Sequence, residues 1–165
     1  MRKVSLILAL LLVAPLASSQ ETATEGRLAA RHILDWERVS DPRISPDGAQ
    51  VVYTRSSVDK LADQWTSELW VVDADGSRNR FLAKGSSPRW SPDGTRLAYV
   101  AEGEPKGSQI HVRFMDAEGA TSQITRLTAA PRDLHWSPAS DRIAFTMMVP
   151  EPETWDLPSM PKPPE

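Results

Sequence analysis

The turn Ser45-Pro46-Asp47-Gly48 recurs as Ser91-Pro92-Asp93-Gly94, 46 residues later, and starts a third time at Ser137-Pro138 after the same interval. The third copy degrades to Ser137-Pro138-Ala139-Ser140-Asp141, yet its flanks stay in register. Ile44, Trp90 and Trp136 precede the motifs, and Gln50-Val51-Val52-Tyr53, Arg96-Leu97-Ala98-Tyr99 and Arg142-Ile143-Ala144-Phe145 follow them. Equal spacing with matched flanks outweighs a reading as three unrelated surface turns. Each residue of the motif has a job at a chain reversal. Proline presets φ near -65°, aspartate bonds its own turn backbone, and glycine accepts the positive φ that leads into the next strand.

The runs after the motifs are apolar on both sides of a strand. Leu97 and Tyr99 oppose Ala98 and Val100, Val51 and Tyr53 oppose Val52, and Ile143 and Phe145 oppose Ala144. Strands of this kind are buried on both faces. Each repeat also has a second hairpin. Leu69-Trp70-Val71-Val72 and Arg80-Phe81-Leu82 flank Asp73-Ala74-Asp75-Gly76, and 110–115 and 124–127 flank Asp116-Ala117-Glu118-Gly119. Residues 56–67 and 102–108 read as loops joining the middle strands. Four strands in a meander, repeated at a period in the 40s, predict an all-β fold of four-stranded antiparallel propeller blades. About two and a half blades are present, where closed propellers have about 4 to 8. An unfinished stack leaves a strand edge and a blade face open, so the chain reads as a fragment or as a partner in self-assembly.

The regions outside the repeat have their own signatures. Met1-Arg2-Lys3, the uncharged run 4–16 and the small residues Ala17-Ser18-Ser19 form a secretory signal pattern. Cleavage is expected after Ser19, with Ala17 as the rival site and an uncleaved anchor as the other reading. The apolar run is too short to span a bilayer comfortably. No later stretch could span one, so the expected compartment is extracytoplasmic, the bacterial periplasm foremost. Residues 20–40 read as a disordered start (20–26) and a short amphipathic helix (28–38). Residues 41–149 hold the repeats, divided as 41–86, 87–132 and the partial 133–149. The tail 150–165 contains Pro150, Pro152, Pro158, Pro161, Pro163 and Pro164. Such a tail is neither helix nor central strand. It reads as an extended loop in preference to a polyproline ligand.

Composition narrows the chemistry. The net charge is -3 from 19 basic and 22 acidic residues; without Arg2 and Lys3 it is -5. That sign gives no electrostatic reason for nucleic-acid binding. There is no cysteine, which excludes disulfides, thiolate metal sites, a cysteine nucleophile and a lipidated N-terminal cysteine. A Gly-x-Ser-x-Gly nucleophile elbow and a phosphate-cradling glycine loop are both missing from the sequence. His32, His111 and His135 stand apart at no metal-ligand spacing, and none has a recognisable catalytic neighbour. The acidic run Asp73-Ala74-Asp75-Gly76 lacks the later glutamate of a calcium loop and reads as a hairpin turn. Trp90 and Trp136, at equivalent repeat positions, read as packing residues. No cofactor, metal ligand or catalytic residue is expected.

The segment Trp90-Ser91-Pro92-Asp93-Gly94-Thr95-Arg96-Leu97-Ala98-Tyr99 resembles the WD40-like propeller repeat of TolB-type proteins and prolyl oligopeptidase-family peptidases. Residues 34–48, with the run Val39-Ser40-Asp41-Pro42-Arg43-Ile44-Ser45-Pro46-Asp47-Gly48, are similar to the opening of secreted bacterial dipeptidyl or acylaminoacyl peptidases of that family. Residues 144–155 are similar to the same subgroup. The resemblance implies a propeller that caps a C-terminal α/β-hydrolase domain and admits only short peptides. The catalytic Ser, Asp and His belong to that domain, and none of them maps onto this chain. The implied partners are therefore the hydrolase domain or further blades, and peptides through the parent enzyme. The chain alone is expected to be inactive. A stand-alone TolB-like periplasmic binding module is the alternative, and a remnant that never folds is a third reading.

Overall fold

Each Ser-Pro turn joins two antiparallel strands in the computed structural model, which describes residues 29–116 and 119–149. The first sheet has the order β1 (Arg38–Ile44), β2 (Gln50–Asp59), β3 (Gln64–Asp73), β4 (Arg80–Lys84). The second repeats it with β5 (Ser86–Trp90), β6 (Arg96–Gly103), β7 (Gly107–Phe114) and β8 (Thr121–Gln123). A final hairpin pairs β9 (Arg132–Trp136) with β10 (Ile143–Thr146). All pairings are antiparallel and sequential. This is a partial β-propeller: two complete four-stranded blades and the inner hairpin of a third.

The two-faced strands do what their pattern requires. Leu97 and Tyr99 on β6 join Val52, Leu69, Val71 and Leu82 in a core between the first and second blades. Ala98, on the opposite face of the same strand, joins Ile110, Val112 and Leu134 in a second core against the third hairpin. One strand thus belongs to two cores, which is how stacked sheets bury both faces. The first strands touch in sequence, β1 against β5 and β5 against β9. The sheets therefore converge along their first strands, and that line is the propeller axis.

Three local readings are corrected. A helix over 28–38 was expected, but the structure has a short 3-10 helix, Ala30–Asp35. Arg38 already pairs with Ser56 in β1, and Ile33, Leu34 and Trp36 are exposed, so no buried stripe stabilises a longer helix. The residues expected to loop between middle strands extend the ladder instead. Ser56 pairs with Ser67, Ser57 with Thr66 and Val58 with Trp65, leaving 60–63 as the tight turn. Cross-strand hydroxyl pairs, Ser56 to Ser67 at 3.0 Å among them, suit a strand as well as a loop.

The fourth strand of the second blade is Thr121–Gln123 rather than 124–127. Beyond Ile124, whose amide still donates to the Ile110 carbonyl at 2.9 Å, side chains replace the ladder. Gln109 Oε1 accepts from the Leu127 amide at 2.8 Å, its Nε2 donates to the Leu127 carbonyl at 3.0 Å, and Thr125 Oγ1 accepts from the Ile110 amide at 2.9 Å. Residues 1–28, 117–118 and 150–165 lie outside the described residues. The signal pattern, the start at 20–26, part of the second hairpin turn and the proline tail lie there.

The motif glycines hold the conformation their role demands, with φ +74° at Gly48 and +72° at Gly94. A Cβ on Gly94 would meet Pro46 Cδ at an ordinary 3.6 Å, so backbone strain is the main penalty there. Gly94→Val is expected to destabilise the chain by about 2 kcal/mol, because a β-branched residue resists positive φ. Denaturant titration checks this; an unchanged midpoint would refute the left-handed assignment.

Candidate functional site

The three motifs assemble into one row at one end of the sheets. In the first, Ser45 Oγ donates to Asp47 Oδ1 at 2.6 Å and accepts from the Gln50 amide at 2.9 Å, while Asp47 Oδ1 also accepts from the Ala49 amide at 3.0 Å. In the second, Ser91 Oγ donates to Asp93 Oδ1 at 2.5 Å and accepts from the Arg96 amide at 2.9 Å. Asp93 Oδ1 accepts from the Thr95 amide at 3.0 Å. Buried serine and exposed aspartate thus lock each turn from inside and outside. Pro46 and Pro92 follow the serines and start each turn.

The degraded third copy rebuilds the lock with other residues. Ser140, φ +59°, stands where the glycine was, and Ser137 Oγ reaches Asp141 Oδ1 at 2.6 Å. The carboxylate has moved two residues along and does the same work. Pro138 keeps its place after Ser137. Neighbouring turns are tied together. The Asp93 amide donates to Ser140 Oγ at 3.1 Å, and Arg96 Nη2 donates to the Ser140 carbonyl at 2.6 Å. These residues shape and stack turns; no nucleophile–base pair is among them.

Hydrogen bonding sets the titration of the motif aspartates. The Ser45 hydroxyl, then the Ala49 amide, hold Asp47 below the ordinary carboxylate range. The Ser91 hydroxyl, then the Thr95 amide and hydroxyl, hold Asp93 well below it. A depressed folded value means the stabilisation is complete above the unfolded value near about 4 and is lost as pH falls through the folded one. In urea titrations the deficit of Asp93→Asn against wild type is therefore expected to be constant above about pH 5 and to shrink on acidification. A deficit independent of pH would contradict this.

Sequence reading missed the inner edge. Asp41, Ser87 and Asp133 occupy one repeat position, and all have positive φ, +49°, +58° and +50°. Each sits at the register shift between a first strand and its neighbour. A β-bulge thus marks the axial strand of every blade. The residue two places on is Arg43, Arg89 or His135. The Asp41 carboxylate bridges two of these, with Oδ1 to Arg43 Nη2 at 2.6 Å and Oδ2 to Arg89 Nη1 at 2.8 Å. Trp90 Nε1 donates to the Arg43 carbonyl at 3.1 Å, and Trp136 Nε1 donates to the Arg89 carbonyl at 2.9 Å. The tryptophans pack, as expected, and also stitch each blade to the one before. The 46-residue offsets of Arg43 and Arg89, and of Trp90 and Trp136, were the available signal.

The histidines are not brought together. His32 caps the 3-10 helix, accepting from the Ala29 amide at 3.2 Å; His111 stacks on Tyr99 with centroids 5.6 Å apart; His135 is exposed on β9. Among the described residues no group of three or more His, Asp or Glu could hold a metal ion. Asp73-Ala74-Asp75-Gly76 forms a hairpin turn whose Asp73 carboxylate is engaged by Arg78 and by Gln50 Nε2 at 3.2 Å. A groove of about 270 Å³ opens on the far face of the second blade, lined by Arg96, Val112, Phe114, Trp136 and Ile143 among others.

No protein-family model and no curated protein matches the sequence. Solved structures do match the fold. An acylaminoacyl peptidase from Pyrococcus horikoshii is 22% identical over 67% of this chain and 17% of its own, with a TM-score of 0.60. The β-propeller domain of the trilobed protease from Pyrococcus furiosus, described as having an open velcro topology, is 23% identical over 68% of this chain and 34% of its own, with a TM-score of 0.58. A puromycin hydrolase matches at 20% identity, 67% and 20% coverage, and a TM-score of 0.53. The chain thus spans about a sixth of the length of the first of these peptidases. At such identities the likeness is one of fold, and the fold it shows is a β-propeller blade array.

Proposed function

We propose that this chain is the propeller portion of a secreted serine peptidase, in which it restricts the access of peptides to a C-terminal α/β-hydrolase domain. The observation that carries the reading is the convergence of β1, β5 and β9 on one axis in a blade array shared with solved peptidases. Strands ranged around an axis form the wall of a channel, and a channel of that kind selects by size. The resemblance of residues 34–48 to the opening of secreted acylaminoacyl and dipeptidyl peptidases supports the same reading. The basic, apolar and small run over 1–19 supports export, with the periplasm as the destination. Catalysis belongs to the hydrolase domain, so the purified 165-residue chain is expected to hydrolyse no peptide.

The test is the size of the native product. An antibody raised against residues 41–146 is expected to detect, in a periplasmic extract, a band several times larger than this chain. A band at the size of the processed chain would sink the peptidase reading. It would favour a TolB-like binding module, for which the open groove beside Phe114 and Ile143 is the observation in favour.

A further inference from the structure

The axial strands differ in charge from the rest of the chain. β1, β5 and β9 carry Arg38, Arg43, Arg89 and Arg132 against Asp41 and Asp133, a balance of +2 in a chain of net charge -3. Within them the repeat places Arg43, Arg89 and His135 at one position, and Asp41, Ser87 and Asp133 at another, two residues earlier. Between the first and second blades this pattern is complete. A carboxylate, Asp41, stands in the bulge and grips the basic residue of its own blade and that of the next. A carboxylate shared by two guanidinium groups is a strong, geometrically defined pairing.

Between the second and third blades the frame is the same and the acid is missing. Ser87 holds the bulge with φ +58°, against +49° at Asp41. The strands are stitched alike, through Trp136 to the Arg89 carbonyl as through Trp90 to the Arg43 carbonyl. Arg89 and His135 therefore stand to Ser87 as Arg43 and Arg89 stand to Asp41. The Arg89 guanidinium spends only Nη1, on Asp41 and on the Pro88 carbonyl; Nε and Nη2 make no hydrogen bond among the described residues. His135, the residue at the equivalent position on β9, is exposed. Asp133 makes no ion pair with Arg89 among the described residues, where Arg89 pairs with Asp41; the Asp133 Oδ2 accepts from Thr146 Oγ1 at 3.0 Å within its own hairpin.

We infer that the axial edge between β5 and β9 is a carboxylate-binding site, in which Arg89 and His135 receive a peptide carboxylate at the position Asp41 fills one blade earlier. Ser87, with its small side chain, leaves room for the incoming group. The ligand chemistry is a carboxylate from a peptide, either its free C-terminus or an acidic side chain. The inference stands on the repeat geometry and does not require the peptidase reading.

The test uses the full chain, ¹⁵N-labelled, with the Trp136 indole resonance as reporter because its acceptor is the Arg89 carbonyl. Three probes separate the sources: acetyl-Ala-Ala with a free C-terminus, acetyl-Ala-Asp-Ala amide, and neutral acetyl-Ala-Ala amide. A saturable shift with the first, the second or both, and none with the third, is the expected result; which of the two acts identifies the source. Ser87→Asp would supply the acid from the chain itself and is expected to weaken binding at least about tenfold, while Ser87→Ala retains it. Arg89→Gln should abolish the shift with the Trp90 indole unmoved. Equal shifts with the neutral amide, wild-type affinity in Ser87→Asp, or no shift with either carboxylate would overturn the site.

Discussion

Gly85→Ala is expected to destabilise the chain by about 3 kcal/mol or more, enough to leave the two blades poorly joined. Gly85 is the link between β4 and β5, where the chain steps from the first blade to the second. Its φ of +144° lies in a region that is essentially glycine's alone. Space is also lacking: a Cβ there would lie 2.6 Å from the Val100 carbonyl oxygen and 2.8 Å from Tyr99 Cδ2. The first of these neighbours is backbone in the middle of β6, and it cannot yield without breaking the sheet. Gly48→Ala is the control. It has positive φ as well, but nothing lies within 4 Å of its Cβ position, so only the left-handed penalty of about 1 kcal/mol is expected. Urea midpoints of the two variants check the contrast. Equal effects would mean that the step between the blades is loose enough to accommodate a Cβ at position 85.

Leu97→Ala should rank next, at about 3 kcal/mol. Leu97 is fully buried and sits on the face of β6 turned toward the first blade, among Val52, Leu69, Val71 and Leu82. Alanine removes the transfer energy of the lost carbons and leaves a cavity in a close-packed seam. The loss falls on the contact between blades, so the transition is expected to broaden as well as shift. Leu61→Ala, at a fully exposed hairpin tip, should cost almost nothing. Thermal melts followed by tryptophan fluorescence and by far-ultraviolet circular dichroism would separate the two effects. A Leu97→Ala melt as sharp as wild type and unshifted would mean that the seam does not hold the blades together.

Much of this fold was legible in the residues because the repeat samples one structural unit three times. Spacing, turn chemistry and two-faced strands each pointed to blades, and β2, β6 and β10 follow the motifs as expected. The errors share a cause. The helix at 28–38 and the strand at 124–127 were read from local patterns, and in both places a distant partner decided the outcome. Ser56 recruits Arg38 into β1, and the buried Gln109 side chain takes the hydrogen bonds that a longer β8 would have made. Polar residues at 56–57 and 66–67 have the composition of a loop and form ladder because the facing strand pairs them.

The candidate site was half visible. The turn residues Ser45 to Gly48, Ser91 to Gly94 and Ser137-Pro138 announced themselves by repetition, but their work is to close and stack turns. The basic positions 43, 89 and 135 repeat at the same interval but carry no turn signature, so their spacing alone gives them no role. By itself the sequence determined the blade unit, its period and its turns, since these depend on contacts within a few residues. Only the tertiary structure decided which first strands meet at the axis and which charges face one another there. The bridge from Asp41 to Arg89 spans 48 positions, and no local propensity encodes a contact between sheets.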